Sequence, residues 1–111
     1  MKKPFTLKSR KSKSLNGIIF VPSDKSISIR ALIISSLCLG NSKIFNLLES
    51  EDVKHTLKSL KELGVKILKK KKYYEVYGEG GLYKKPNKRL YLGNSGTGVR
   101  LITGLLASRG L

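Results

Sequence analysis

Short apolar runs bounded by proline or glycine alternate along this chain with longer stretches whose apolar residues recur at helical spacing. That alternation restricts the chain to an α/β fold. Leu15-Asn16-Gly17 reads as a turn and Gly17 to Val21 as a β-rich run ended by Pro22. Ser23 and Asp24 offer side-chain oxygens that cap a helix, expected over about 26–39. Its apolar residues, Ile27, Ile29, Leu32, Ile33, Ile34 and Leu37, cover most of the circumference, so the helix is expected to be well buried. Gly40-Asn41 supplies a stop.

Lys43 to Leu48 reads as the next strand. Ser50, Glu51 and Asp52 suit the positive end of a second helix, carried by Val53, Leu57, Leu60 and Leu63 and ended by Gly64. Val65 to Leu68 and Tyr73 to Tyr77 read as strands joined by Lys69–Lys72, a solvated hairpin tip. After a connection rich in Gly, Lys and Pro, Leu90–Leu92 reads as a short strand and Val99–Ala107 as a helix. The order is β-α-β-α-β-β followed by the start of another strand and helix.

Charge narrows the partners without choosing among them. Lys and Arg number 23 against 7 Asp and Glu, a formal net charge of +16, which attracts phosphorylated metabolites, nucleic acid and anionic membrane alike. The excess is lysine spread along the chain, the pattern of solvated surface. A single cysteine, Cys38, excludes an internal disulfide framework and reads as a small buried hydrophobe. One His and one Cys do not make a zinc site, and no metal or cofactor is expected. The basic residues 1–15 are not followed by an apolar stretch long enough for a signal peptide, and Ala31–Leu39 is too short to span a bilayer. The expected compartment is the cytoplasm, with no membrane partner. His55 reads as a surface histidine. Tyr73, Tyr74 and Tyr77 beside the lysines are compatible with single-strand nucleic-acid binding and equally with packing in a strand, so nucleic acid is an unfavoured partner.

Two segments can carry chemistry, each between a strand and a helix. In Pro22-Ser23-Asp24-Lys25-Ser26-Ile27-Ser28-Ile29-Arg30, the first amides of a helix favour an anion. Lys25 adds a compact charge, Ser26 a hydroxyl, and Arg30, about one turn beyond Ser26, a two-pronged grip for phosphate or carboxylate. In Leu92-Gly93-Asn94-Ser95-Gly96-Thr97-Gly98-Val99-Arg100, the glycines let a ligand approach the backbone. The spacing fits neither a phosphate-binding Walker loop nor a dinucleotide fingerprint. Taken singly, each segment is equally readable as a capped helix start with solvated charges.

Taken together they resemble one family. Asp24 to Leu32 looks like the opening Asp-Lys-Ser-x-Ser-x-Arg-Ala-Leu signature of 5-enolpyruvylshikimate-3-phosphate synthases. Asn46-Leu47-Leu48-Glu49-Ser50-Glu51-Asp52 resembles the family's Asn-Leu-Leu-x-Ser-x-Asp segment, and Leu92 to Arg100 its Leu-Gly-Asn-[Ala/Ser]-Gly-Thr loop ending in Arg. The resemblance runs from about residue 15 onward. It implies the N-terminal part of an inverted α/β enolpyruvyl-transferase domain, here spanning 16–111 after a basic segment 1–15. It implies a transferase of the shikimate pathway, serving chorismate and aromatic amino acid biosynthesis, that moves the enolpyruvyl group of phosphoenolpyruvate to the 5-hydroxyl of shikimate 3-phosphate. By the same resemblance Lys25 is catalytic and lies where both substrates meet. Ser26 and Arg30 hold shikimate 3-phosphate; Asn94, Gly96 and Thr97 line the phosphoenolpyruvate site; Asp52 supports it.

The chain departs from the family pattern at Ile29, where His or Asn is usual, at Val99 in place of Met, and at Leu101, where many members have Pro. The last leaves sensitivity to glyphosate open. The family enzyme is several times longer, with a C-terminal portion that supplies further anion-binding groups, the carboxylates assigned to proton transfer and the pairing partners of the first strands. The 111 residues alone are therefore expected to be inactive. Two other readings predict different behaviour. The UDP-N-acetylglucosamine enolpyruvyl transferases typically place Asn after the lysine where Ser26 stands here. A small basic nucleic-acid module would bind with steep salt dependence.

Overall fold

The computed structural model describes residues 3–110; Met1 and Lys2 of the N-terminal segment, and Leu111 at the far end, lie outside the described residues. Three helices and three strands follow in the order α1 (Lys25–Leu37), β1 (Leu39–Phe45), α2 (Glu51–Glu62), β2 (Lys66–Lys69), β3 (Tyr73–Glu79) and α3 (Gly96–Ala107). The strands form one sheet in the order β1-β3-β2. Both pairings are antiparallel, with Ile44 opposite Tyr74 and Ile67 opposite Val76. β1 and β2 consequently run parallel to each other on either side of β3, and α2 carries the chain across it, a split β-α-β unit.

Alternation along the strands sorts the sheet into two faces. Val76 and Ile67 are buried, and with Ile44 and Tyr74 they point toward the helices. Leu39, Lys43, Phe45, Tyr73 and Tyr77 occupy the other face. Phe45 and Tyr73 touch with ring centroids 5.2 Å apart, and Lys43 and Lys66 lie over the rings of Tyr73 and Tyr77. The core is made by Ile29, Leu32 and Ile33 of α1, Val53, Leu57 and Leu60 of α2, Leu63, Ile67, Val76, Leu92, and Ile102 of α3. At Gly78 the sheet comes close to the end of α1: a Cβ there would collide with the carbonyl oxygens of Cys38 and Ser35.

Several boundaries differ from those expected. The first helix ends at Leu37, and its expected stop, Gly40-Asn41, lies inside β1. Gly40 takes φ of +101°, which suits a glycine at the start of an edge strand better than a helix cap. Cys38 is exposed at the helix end, with its Sγ 3.3 Å from the Ile34 carbonyl; it is not a core residue. Ile27 and Ile34 are also exposed, so one side of α1 has no cover among the described residues. The expected strands at 17–21 and 90–92 are not strands: no described neighbour pairs with them. No helix among the described residues is long and apolar enough to cross a membrane.

Residues 80–95, although irregular, are pinned. Lys84 N–H donates to the Leu63 carbonyl at 2.6 Å, Gly80 N–H to Cys38 at 3.0 Å, and the Tyr83 hydroxyl lies 2.7 Å from Ser36 Oγ inside the core. This stretch returns the chain from the sheet to the helices and delivers the second Gly-rich segment.

Candidate functional site

All three helix N-termini are capped in the same way, α2 by Ser50 on Val53 N–H, and two of them carry the Lys25 and Gly-rich segments. At α1, Asp24 is extended, with ψ of 142°, and its carboxylate accepts from Ile27 N–H at 2.8 Å. At α3, Ser95 Oγ accepts from Gly98 N–H at 2.9 Å. Each cap takes up the third amide, leaving the first two, of Lys25 and Ser26 in one helix and Gly96 and Thr97 in the other, at the positive end of the dipole. α3 thus begins three residues earlier than its apolar pattern suggests. Glycines at 96 and 98 weaken helical propensity, but the Ser95 cap offsets that loss.

The middle motif links these ends through α2. Lys25 Nζ lies 3.1 Å from Asp52 Oδ2, with the side chains 47% and 23% exposed. A pair this open to water contributes at most about 1 kcal/mol, so it orients the lysine more than it stabilises the fold. One turn further along α2, Thr56 Oγ1 donates to the Asp52 carbonyl at 3.1 Å. The buried Thr56 then packs on α3: a Cβ at Gly98 would fall 3.3 Å from its hydroxyl oxygen and 2.8 Å from Ser95 Oγ. Residues 52–56 therefore touch Lys25 at one end and lie beside the α3 cap at the other.

Smaller contacts fix the first junction. Ser23 Oγ donates to the carbonyl of Asn46, the one non-glycine residue with positive φ among those described, and Leu48 N–H donates to the buried Ser28 Oγ at 3.1 Å. Ser23, Ser28, Thr56 and Ser95 were not singled out as site residues by sequence reasoning. Ser28 and Ser95 stand inside the quoted motifs, but nothing in their spacing reveals that they bond backbone rather than ligand. Ser26 is half-buried, Arg30 exposed, Asn94 and Gly96 exposed and Thr97 half-buried. A side chain at Gly96 would meet nothing within 4 Å, so the backbone there is open to approach.

Of the residues expected to form a site, Lys25 and Asp52 are in direct contact, and Thr56 of α2 lies beside the start of the helix that carries Gly96 and Thr97. The arrangement is cationic at Lys25 and Arg30 and donor-rich at two helix starts, as binding of a multiply charged anion requires.

Comparison with known proteins is consistent across sequence and structure. The family model for EPSP synthase (3-phosphoshikimate 1-carboxyvinyltransferase) matches residues 9–111. The 3-phosphoshikimate 1-carboxyvinyltransferase of Streptococcus mutans is 45% identical over 97 residues, 86% of this chain and 22% of that protein. The one from a Bradyrhizobium species is 47% identical over 106 residues, 94% of this chain and 24% of that protein. EPSP synthase from Acinetobacter baumannii superposes with a TM-score of 0.73 at 37% identity, covering 81% of this chain and 21% of the other. The chain spans about a quarter of the length of the curated relatives it matches. With the family model covering nearly all of its residues, the chain belongs to the EPSP synthase family.

Proposed function

We propose that this chain contributes part of the anion-binding active site of a 3-phosphoshikimate 1-carboxyvinyltransferase, which transfers the enolpyruvyl group of phosphoenolpyruvate to the 5-hydroxyl of shikimate 3-phosphate and releases phosphate. The observation that carries this reading is the Lys25–Asp52 contact, which brings the first two motifs together at the start of α1. Both substrates are polyanions. A lysine held by a carboxylate at a helix start, with a second capped helix start beside Thr56 of the same α2, suits them electrostatically. In this reading Lys25 faces both substrates and stabilises charge as the tetrahedral addition intermediate forms. Ser26 and Arg30 hold shikimate 3-phosphate. Asn94, Gly96 and Thr97 line the phosphoenolpyruvate side, and Asp52 orients Lys25.

These 111 residues correspond to under a quarter of the relatives' length, so the proposal assigns them half-site binding without turnover of their own. The test is titration of the chain with shikimate 3-phosphate at moderate salt, against inorganic phosphate and a short oligonucleotide. Selective binding weakened by about tenfold or more in both Lys25→Ala and Arg30→Ala is expected, as for loss of a hydrogen bond to a charged group. Equal, salt-sensitive binding of all three ligands would sink the proposal, and measurable product formation by the isolated chain would overturn its second half.

A further inference from the structure

A second candidate space lies away from the Lys25 junction. A cavity of about 430 Å³ lies between α2 and the residues just before the second Gly-rich segment, lined by Lys54, His55, Lys58, Lys88, Arg89 and Tyr91. Glu62 also borders it and is paired with Lys88 at 3.6 Å. Four permanent cations thus face a space that holds one carboxylate. Lys54 and Lys58 stand four residues apart on α2, where like charges repel. Lys88 and Arg89 bring further positive charge to the same space from a different element.

We propose that this cavity binds a phosphate-bearing anion at a site distinct from the Lys25 junction. On α2, Lys54 and Lys58 lie about a third to half a turn around the helix from Asp52, so an anion between them does not touch the Lys25–Asp52 pair. A phosphate or diphosphate group satisfies the lysine ammonium groups as point charges and the Arg89 guanidinium with two parallel hydrogen bonds. One wall is shared with the Gly-rich segment. His55 meets Tyr91 edge to face at 4.9 Å, and Gly93 sits so close to the imidazole that a Cβ there would lie 2.8 Å from Cδ2. Gly93 has φ of +61°, so the turn needs glycine for conformation as well as for space. An anion held beside His55 is therefore sensed by the backbone that leads into Asn94, Gly96 and Thr97.

The proposal does not depend on which substrates the Lys25 junction takes. Its test is a titration of the chain with pyrophosphate and inorganic phosphate at about 150 mM salt, where surface charge is screened beyond ~8 Å. Affinity is read by calorimetry and location by amide and imidazole NMR shifts. Saturable binding at one site is expected, with shifts at His55 and Gly93. Lys54→Ala/Lys58→Ala should weaken it by about tenfold, whereas Lys11→Ala/Lys13→Ala, which removes the same charge, should not. The shifts at His55 and Gly93 should persist in Lys25→Ala. Equal weakening in both double variants, or shifts confined to Lys25 and Ser26, would overturn the proposal. All of these lysines are exposed, and far-UV circular dichroism verifies that each variant keeps its fold.

Discussion

Residues 17–21 and residues 73–79 are made of similar material, yet only the second stretch is a strand. Ile18, Ile19, Phe20 and Val21 have β-branched and aromatic side chains, but they are 87%, 83%, 96% and 66% exposed. Tyr73–Glu79 pairs along its whole length with β1 and along part of it with β2, and Val76 is fully buried against the helices. The difference lies in the neighbours. β-propensity records how well a side chain fits a pleated, half-covered surface, and without a partner edge that preference has nothing to act on.

The sharpest way to break the comparison is to place the same charge in both stretches. Val76→Asp buries an unpaired carboxylate in the core and should cost several kcal/mol, on the order of the entire stability of a domain this size. Ile19→Asp should change stability by no more than about 0.5 kcal/mol, because the side chain is in water already. Urea denaturation of both variants measures this, and comparable losses would mean that residues 17–21 are packed after all. A smaller effect is expected from Gly78→Ala. The added methyl meets two backbone carbonyls that cannot rotate away, costing about 1–3 kcal/mol. If the variant melts at the parent temperature, α1 is not seated on β3 as described.

The smallest effect refines the edge of the sheet. The Tyr74 hydroxyl donates to Glu49 at 2.7 Å and Lys69 lies 2.9 Å from the same oxygen. The tyrosine hydrogen bond and then the lysine hold the Glu49 carboxyl below its ordinary range. A carboxyl lowered in this way contributes stability above its unfolded pKa and loses that contribution as pH falls through the folded one. In Tyr74→Phe, NMR titration should find Glu49 protonating at higher pH than in the parent chain. An unchanged titration would mean that the hydroxyl is not its partner.

Much of this was legible in the sequence. Ser50 before Glu51 and Asp52, and the apolar spacing from Val53 to Leu63, marked α2 almost to the residue, because cap and periodicity agree there. Asp24 marked the start of α1 through its cap alone. What was not legible depends on distant groups. Nothing local says that Gly17–Val21 and Leu90–Leu92 lack partners, or that Cys38 ends in solvent. In the candidate site, Lys25, Arg30, Asn94 and Gly96 stood out through motif and charge. Asp52 stood out through its motif as well, but Thr56 did not, since its place beside the α3 start arises only once α1, α2 and α3 have come together.

The split topology described above also sets an order of events. β2 and β3 are joined by a tip of three lysines, Lys70 to Lys72, and their pairing is local, so this hairpin can close within microseconds of the chain becoming free to fold. β1 must wait: its partner residues on β3 lie beyond the whole of α2 and β2, and that loop entropy is recovered only when helix and hairpin have already met. The Lys25–Asp52 contact closes a different loop, from the start of α1 across β1 to the start of α2. The polar junction at the head of α1 is therefore non-local too, and exists only where α1 and the start of α2 have met.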